Sequence, residues 1–303
     1  MTSHDVVGRL RRVTGQRQIG HTGTLDPIAT GLMVCVLGHA TRLASYLSGM
    51  EKGYECAARM GIETDTYDIA GRVTAQCEAI PSDRGLVEAA LARFAGEIEQ
   101  RPPVYSAVKV KGRRLYKYAR SNEAVEAPQR RVRIHRITLL DYQAPDVRFF
   151  CHVSSGAYVR SLCHDLGSAL GCGACMTALR RTFVGPFQVD DAVRLERLEA
   201  EPDEAARRLI AMSALVPGLP VLRADAEGGR LLACGAACPV GHLAPREWEE
   251  LDGQTALVCD EGEAAIALVR LEGCDARVRE ETNGAARHGI ARPLRVFAHQ
   301  NTP

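Results

Sequence analysis

No stretch of the 303-residue chain is apolar for long enough to cross a bilayer. No apolar run is longer than Leu32 to Leu37, which is bounded by Gly31 and Gly38, whereas a membrane helix needs about 20 such residues. The amino terminus shows no basic segment leading into an apolar stretch and a small-residue cleavage site, so no secretory signal is read there and the expected compartment is the cytoplasm. Framework cysteines are missing too. The eleven cysteines are odd in number and scattered through apolar segments (Cys35, Cys56, Cys151, Cys163), which excludes a disulfide scaffold and predicts reduced, buried small hydrophobes. Cys172-Gly-Ala-Cys175 is the one close pair, but no second Cys or His pair follows to complete four ligands, so packing is expected there and no metal or other cofactor. Net charge is also scarce, at +1, and by itself does not point to a nucleic acid. No internal repeat or low-complexity tract is present.

What the chain does have is unevenly placed. With 46% hydrophobic and 25% charged residues it can bury at least one large core and divides into two domains at most. Between Arg101 and Arg136 there are eleven Lys or Arg against two acids (Glu123, Glu126), from totals of 38 and 37. The rest of the chain is therefore acidic. Tyr105, Tyr116 and Tyr118 lie in the basic segment, joining cations for phosphates to flat rings for bases, as looped RNA requires. A solvated charged strand and loop would have the same composition.

Ser3 caps an expected helix carrying Val6, Val7, Leu10 and Val13 at helical spacing. Tyr54, Cys56, Ala58 and Met60 alternate with charged or small residues, as do Val147, Phe149, Cys151 and Val153, predicting half-buried strands. Leu86, Ala90, Leu91 and Phe94, then Leu162, Leu166 and Leu170, recur at helical spacing. Helices and strands alternate irregularly, an α+β pattern. From about residue 190 the charge turns acidic, and a small β-rich module is expected over roughly 220–300, with Leu231, Val240 and Leu257-Val-Cys-Asp260 in short strands.

Chemistry concentrates in the loop Gly20-His-Thr-Gly-Thr-Leu-Asp-Pro-Ile-Ala-Thr-Gly31, leading into a buried run from Leu32 to Leu37. It holds one carboxylate, one imidazole and three hydroxyls among glycines that let the backbone turn sharply. Such a loop can present Asp26 to a ligand, or His21 and Asp26 can simply close local turns. Spacing alone leaves both open.

This run resembles the signature that carries the catalytic aspartate of TruB-type tRNA pseudouridine synthases. Further segments agree in the family's order: Lys52-Gly-Tyr54, Gly61-Ile-Glu-Thr-Asp-Thr-Tyr-Asp68 with Gly71, Gln100-Arg-Pro-Pro-Val-Tyr-Ser-Ala-Val-Lys109 through Leu115-Tyr-Lys-Tyr-Ala-Arg120, Ser155-Gly-Ala-Tyr158-Val-Arg160, Asp165-Leu-Gly167 and Leu179-Arg-Arg181-Thr. The resemblance covers residues 3 to about 187. It implies a pseudouridine-synthase fold over 1–215, with a mixed, largely antiparallel sheet flanked by helices. A PUA-like RNA-binding module would follow over 220–300. It also implies an isomerase acting on uridine 55 in the T loop of tRNA, a monomer without cofactor or membrane. The family pattern places the essential carboxylate on Asp26, the ring that stacks on the target base on Tyr54, and the guanidinium paired with the aspartate on Arg160. His21, Asp68, Tyr158, Lys109 and Arg42 fall at RNA-contacting positions. Members usually begin with a strand ending in Lys-Pro-x-Gly just before the residues matching Thr2-Ser3, and this sequence shows no such motif. Two rival readings are a noncatalytic tRNA-binding or folding protein on the same scaffold and a hydrolase of N-glycosidic bonds.

Overall fold

The computed structural model describes residues 1–121, 123–244, 248–274 and 289–297. The chain forms two compact units, one made of Met1–Arg9, His21–Cys35 and Ser48–Leu195, the other of Leu10–Gly20, Val36–Leu47 and Glu196–Pro303. Residues 245–247, 275–288 and 298–300 of the module expected over 220–300 lie outside the described set. Among the described residues no helix is long and apolar enough to cross a membrane.

The first unit is built on a seven-stranded sheet. At its centre lies the strand Lys52–Met60, where the alternating pattern buries Tyr54, Cys56, Ala58 and Met60 on one face. Asp146–Val153 pairs antiparallel on one side of it and Ala174–Val184 on the other. Arg130–Gln143 and Gly96–Gln100 extend the sheet beyond Asp146–Val153, again antiparallel. Only the short strand Ala29–Gly31 runs parallel, against Leu179–Arg181. The sheet is thus mixed and largely antiparallel.

Two helices cover the buried face, in the two stretches where helical spacing predicts them, although Leu86 of the first stripe is exposed and Phe94 lies beyond the end of its helix. Arg84–Ala92 begins at Asp83, whose carboxylate accepts from the Gly85 amide at 2.7 Å, and it contributes Val87, Ala90 and Leu91 to the core. Val159–Ala169 adds Leu162, Cys163 and Leu166 beside Phe149, Cys151 and Val153. Each fully buried side chain of this size stabilises the fold by about 1.5–3 kcal/mol. Gly167 lets the helix lie directly on the turn before Ala174, because a side chain there would run into the Gly173–Ala174 backbone.

The second unit contains a six-stranded sheet in which Val221–Ala224 runs parallel to Thr255–Cys259, while Ala265–Glu272 and Ile290–Val296 follow antiparallel. Its own core includes Leu222, Leu232, Val258, Ile266 and Val269. Two expectations fail here. Leu231 lies in the helix Ala226–Ala233 and Val240 opens a 3-10 turn, Val240–His242. Short apolar runs carry no period long enough to separate a strand from one buried helical turn. Leu257 does lie in a strand.

Two further expectations are corrected near the amino terminus. Of the run Leu32 to Leu37 only Leu32 and Val36 are buried, and the strand is confined to Cys35–Leu37. The helix Ser3–Thr14 forms, but its cap is Thr2, whose hydroxyl accepts from the Asp5 amide while Asp5 accepts in return from the Thr2 amide at 2.7 Å. Ser3 is released for another task.

Candidate active site

The loop bearing Asp26 is fixed at three points before Asp26 makes any contact of its own. The Ser3 hydroxyl, buried, accepts from the Leu25 amide at 2.9 Å. The other two points belong to Arg181, a guanidinium 1% exposed on the strand Ala174–Val184. Its Nε donates to the Leu32 carbonyl at 2.7 Å and its Nη2 to the Gly23 carbonyl at 3.2 Å, so one side chain grips the loop on both sides of Asp26. The Leu32 amide closes the arrangement by donating to the Arg181 carbonyl at 2.9 Å.

Gly31 is required by this approach. Its φ is +96°, and a methyl group there would strike the Arg181 backbone. Gly31→Ala is therefore expected to cost about 2–5 kcal/mol from backbone strain and overpacking together, read as a shift in urea midpoint at unchanged m-value; wild-type stability in that variant would contradict the close approach.

Asp26 itself meets Arg160 in a bidentate ion pair, Nε to Oδ2 at 3.0 Å and Nη2 to Oδ1 at 2.8 Å. Arg160 is buried near the start of Val159–Ala169 and spends its remaining donors on the Thr66 carbonyl at 3.0 Å and the Tyr105 carbonyl at 3.1 Å. Asp68 lies 3.6 Å away on the same guanidinium. Burial pushes the Asp26 carboxyl above the ordinary carboxylate range; Arg160 opposes that push and Asp68 adds to it. A fork of donors matched to two carboxylate oxygens is the geometry that keeps such a group ionised and oriented.

The segments that surround the pair are stitched to the same helix. The Gln100 side chain accepts from the Tyr158 amide at 2.7 Å and donates to its carbonyl at 3.0 Å, and the Ser161 hydroxyl donates to the Arg101 carbonyl at 2.7 Å. Asp68 is held by the Thr66 hydroxyl at 2.8 Å and the Ala70 amide at 3.1 Å. Gly71 belongs to this turn because a side chain would collide with Thr66.

Tyr54 is buried opposite Arg181 in the antiparallel register. Burial raises its hydroxyl above the usual range, Arg181 pulls it back, and the Asp26 charge adds a further upward push. Lys52, two residues earlier, is pushed down to about 8, first by burial and then by Arg181; its ammonium donates to the Ser48 and Met50 carbonyls at 2.8 and 2.6 Å. His21 is held toward its neutral form by burial, with the Arg181 charge second, and among the described residues its Nδ1 has no hydrogen-bond partner.

The remaining expected residues have surroundings of their own. The Tyr158 ring lies under the Arg130 guanidinium, 5.8 Å from its centroid. Lys109 is exposed on the hairpin Lys109–Val110 with Arg113–Arg114. Arg42 is exposed on the 3-10 turn Gly38–Leu43, in the second unit. Of the tyrosines in the basic segment, Tyr118 is covered by Arg113 at 4.6 Å and Tyr116 by Arg120 at 5.5 Å. Cys172 and Cys175 are buried free thiols. Sequence reasoning assigned no role to Ser3, Lys52, Thr66 or Arg181 in holding this site.

The family model described as TruB family pseudouridylate synthase (N terminal domain) matches residues 11–159. A second, the tRNA pseudouridylate synthase B C-terminal domain, matches residues 160–215. The chain belongs to the TruB family. A relative from Aromatoleum aromaticum named tRNA pseudouridine synthase B is 46% identical over 246 residues, 78% of this chain and 80% of that protein. One from Burkholderia mallei with the same name is 39% identical over 94% of both chains. Among solved structures, a chain in the crystal structure of a Cbf5-Nop10-Gar1 complex superposes with a TM-score of 0.68 at 26% identity, covering 98% of this chain and 82% of that one. The architecture is accordingly the pseudouridine-synthase fold followed by a small β-rich module of PUA-like kind. In this TruB-family chain, Asp26 and Arg160 are 134 residues apart in sequence yet share two hydrogen bonds.

Proposed function

We propose that this chain is a tRNA pseudouridine synthase that isomerises uridine 55 in the T loop, with Asp26 as the catalytic carboxylate. The observation that carries the reading is the bidentate pairing of Asp26 with the buried Arg160. The relatives named tRNA pseudouridine synthase B support the substrate. Isomerisation breaks the bond between the sugar C1′ and N1 and joins C1′ to C5, with no redox change. An ionised carboxylate serves every available route, whether attack at C1′, attack at C6 or removal of the 2′ hydrogen. Arg160 keeps Asp26 charged while the target base excludes water.

The base must leave the folded loop before it can react. Tyr54 receives it by stacking, and Asp68 and Tyr158 line its place. His21, whose Nδ1 is unpartnered among the described residues, takes over interactions that the T loop gives up on opening. Lys109 and Arg42 take phosphates of the T arm. Residues 1–215 form the catalytic domain and 220–300 the accessory RNA-binding module.

Unmodified tRNA carrying uridine tritiated at C5 provides the test. Tritium release with pseudouridine mapped to position 55 is expected. Tight tRNA binding without release would identify the noncatalytic reading, and liberated free uracil would identify a hydrolase.

A further inference from the structure

Away from Asp26, three potential metal ligands from three separate segments converge on the same sheet. His135 Nε2 lies 2.9 Å from Glu51 Oε1, His152 Nε2 lies 2.7 Å from Glu51 Oε2, and all three ligand atoms fall within 4.8 Å of one another. The imidazoles are tilted against each other by 36°, with ring centroids 4.7 Å apart. Their side chains are 27% and 29% exposed and the carboxylate 49%, so the cluster is held by the fold yet open to solvent on one side.

The backbone builds this convergence. The ladder between Arg130–Gln143 and Asp146–Val153 slips between Ile134 and Arg136, leaving His135 as the extra residue of a bulge, a device that redirects a side chain. Ile134 stays in the core while His135 turns outward beside His152. Glu51 immediately precedes the central strand, and its carbonyl accepts from the Gly185 amide at 2.9 Å. The Phe183 ring meets His152 edge-on, with ring centroids 5.0 Å apart.

We propose that Glu51, His135 and His152 form a binding site for a divalent transition-metal cation, with zinc the probe of choice. Two imidazole nitrogens and one carboxylate are the donor set such ions take, at about 2.0–2.2 Å from the metal. Nitrogen and oxygen atoms already 2.7 and 2.9 Å apart need only small rotamer adjustments to enclose an ion. Each ring would coordinate through its Nε2 lone pair with Nδ1 carrying the ring proton. Three protein ligands leave open positions for water. The cluster contains none of the residues assigned to isomerisation, and a bound ion would tie three segments of the sheet together.

Untagged protein stripped with chelator and titrated with Zn²⁺ by calorimetry tests the site. One equivalent is expected to bind, and Glu51→Gln and His152→Ala are each expected to weaken binding at least tenfold. Glu51→Gln keeps the size of the side chain and one acceptor oxygen, so a loss there with an unchanged metal-free melting midpoint is not unfolding. Cobalt substitution reports the ligands: visible bands without thiolate charge-transfer absorption are expected. Absence of a bound equivalent, equal affinity in wild type and variants, or a thiolate signature from the eleven cysteines would each overturn the assignment.

Discussion

Asp26→Asn is expected to lower the rate of pseudouridine formation by on the order of 10⁴-fold or more, while tRNA affinity stays close to wild type. The amide keeps the shape of the side chain but has no charge and no nucleophilic lone pair of comparable strength. It also turns a donor toward Arg160, so one of the two bonds is lost. Arg160 retains the Thr66 and Tyr105 carbonyls and Asp68, so the site keeps its form. The fold is expected to tolerate the change for a further reason. Burial raises the Asp26 carboxyl above the pKa of a free aspartate, so the stability this group contributes is present below its unfolded pKa and is lost as pH rises through its folded pKa. At neutral pH the ionised group is a net cost, and an uncharged amide should leave the melting midpoint unchanged or higher. Single-turnover tritium release and a tRNA binding isotherm measured on the same preparation separate chemistry from recognition. Turnover comparable to wild type would remove Asp26 from the mechanism.

How much of this is legible in the sequence depends on the distance over which each side chain acts. The half-buried strands around Tyr54 and Phe149 and the helix around Leu162 follow from local periodicity, because burial on one face imposes it. Asp26 is conspicuous for its setting among glycines. Nothing local, however, links it to a guanidinium 134 residues later; only the order of matching motifs points to Arg160. Arg181 shows the limit more sharply. An arginine in a Leu-Arg-Arg-Thr strand reads as a solvated cation, yet its side chain is buried because carbonyls of a loop about 150 residues earlier satisfy it. Ser3 misleads in the opposite way. Its position before an apolar stripe suits a cap, but Thr2 and Asp5 supply that function, leaving the Ser3 hydroxyl to hold the loop. The His135 bulge breaks the strand's own alternation, and no pattern of period two can announce its exception.

Removing Arg160 should be more damaging to the molecule as a whole than removing Asp26, because it leaves carboxylates behind. In Arg160→Met, Asp26 loses bonds of 2.8 and 3.0 Å and the buried Asp68 loses a cation at 3.6 Å, while the Thr66 and Tyr105 carbonyls lose their donor. Stranding one side of a buried pair costs about 3–5 kcal/mol, and that loss is expected in urea denaturation. The catalytic consequence has a definite sign. Arg160 is what opposes the upward push of burial on Asp26, so without it the carboxyl takes a proton at higher pH and the acid limb of the pH–rate profile moves toward neutrality. Arg160→Lys keeps the charge but replaces a planar fork by a point charge, which cannot reach two carboxylate oxygens and two carbonyls together. It should fold and lose on the order of 10²-fold in kcat through misplacement of the carboxylate. The double change Asp26→Asn with Arg160→Met then discriminates between an electrostatic and a merely volumetric role. If charge is the cause, taking away both partners restores part of the stability lost in Arg160→Met, with Asp68 limiting the recovery, and restores none of the activity. Additive losses of stability in the double variant, together with an unmoved acid limb in Arg160→Met, would show that the guanidinium only fills space.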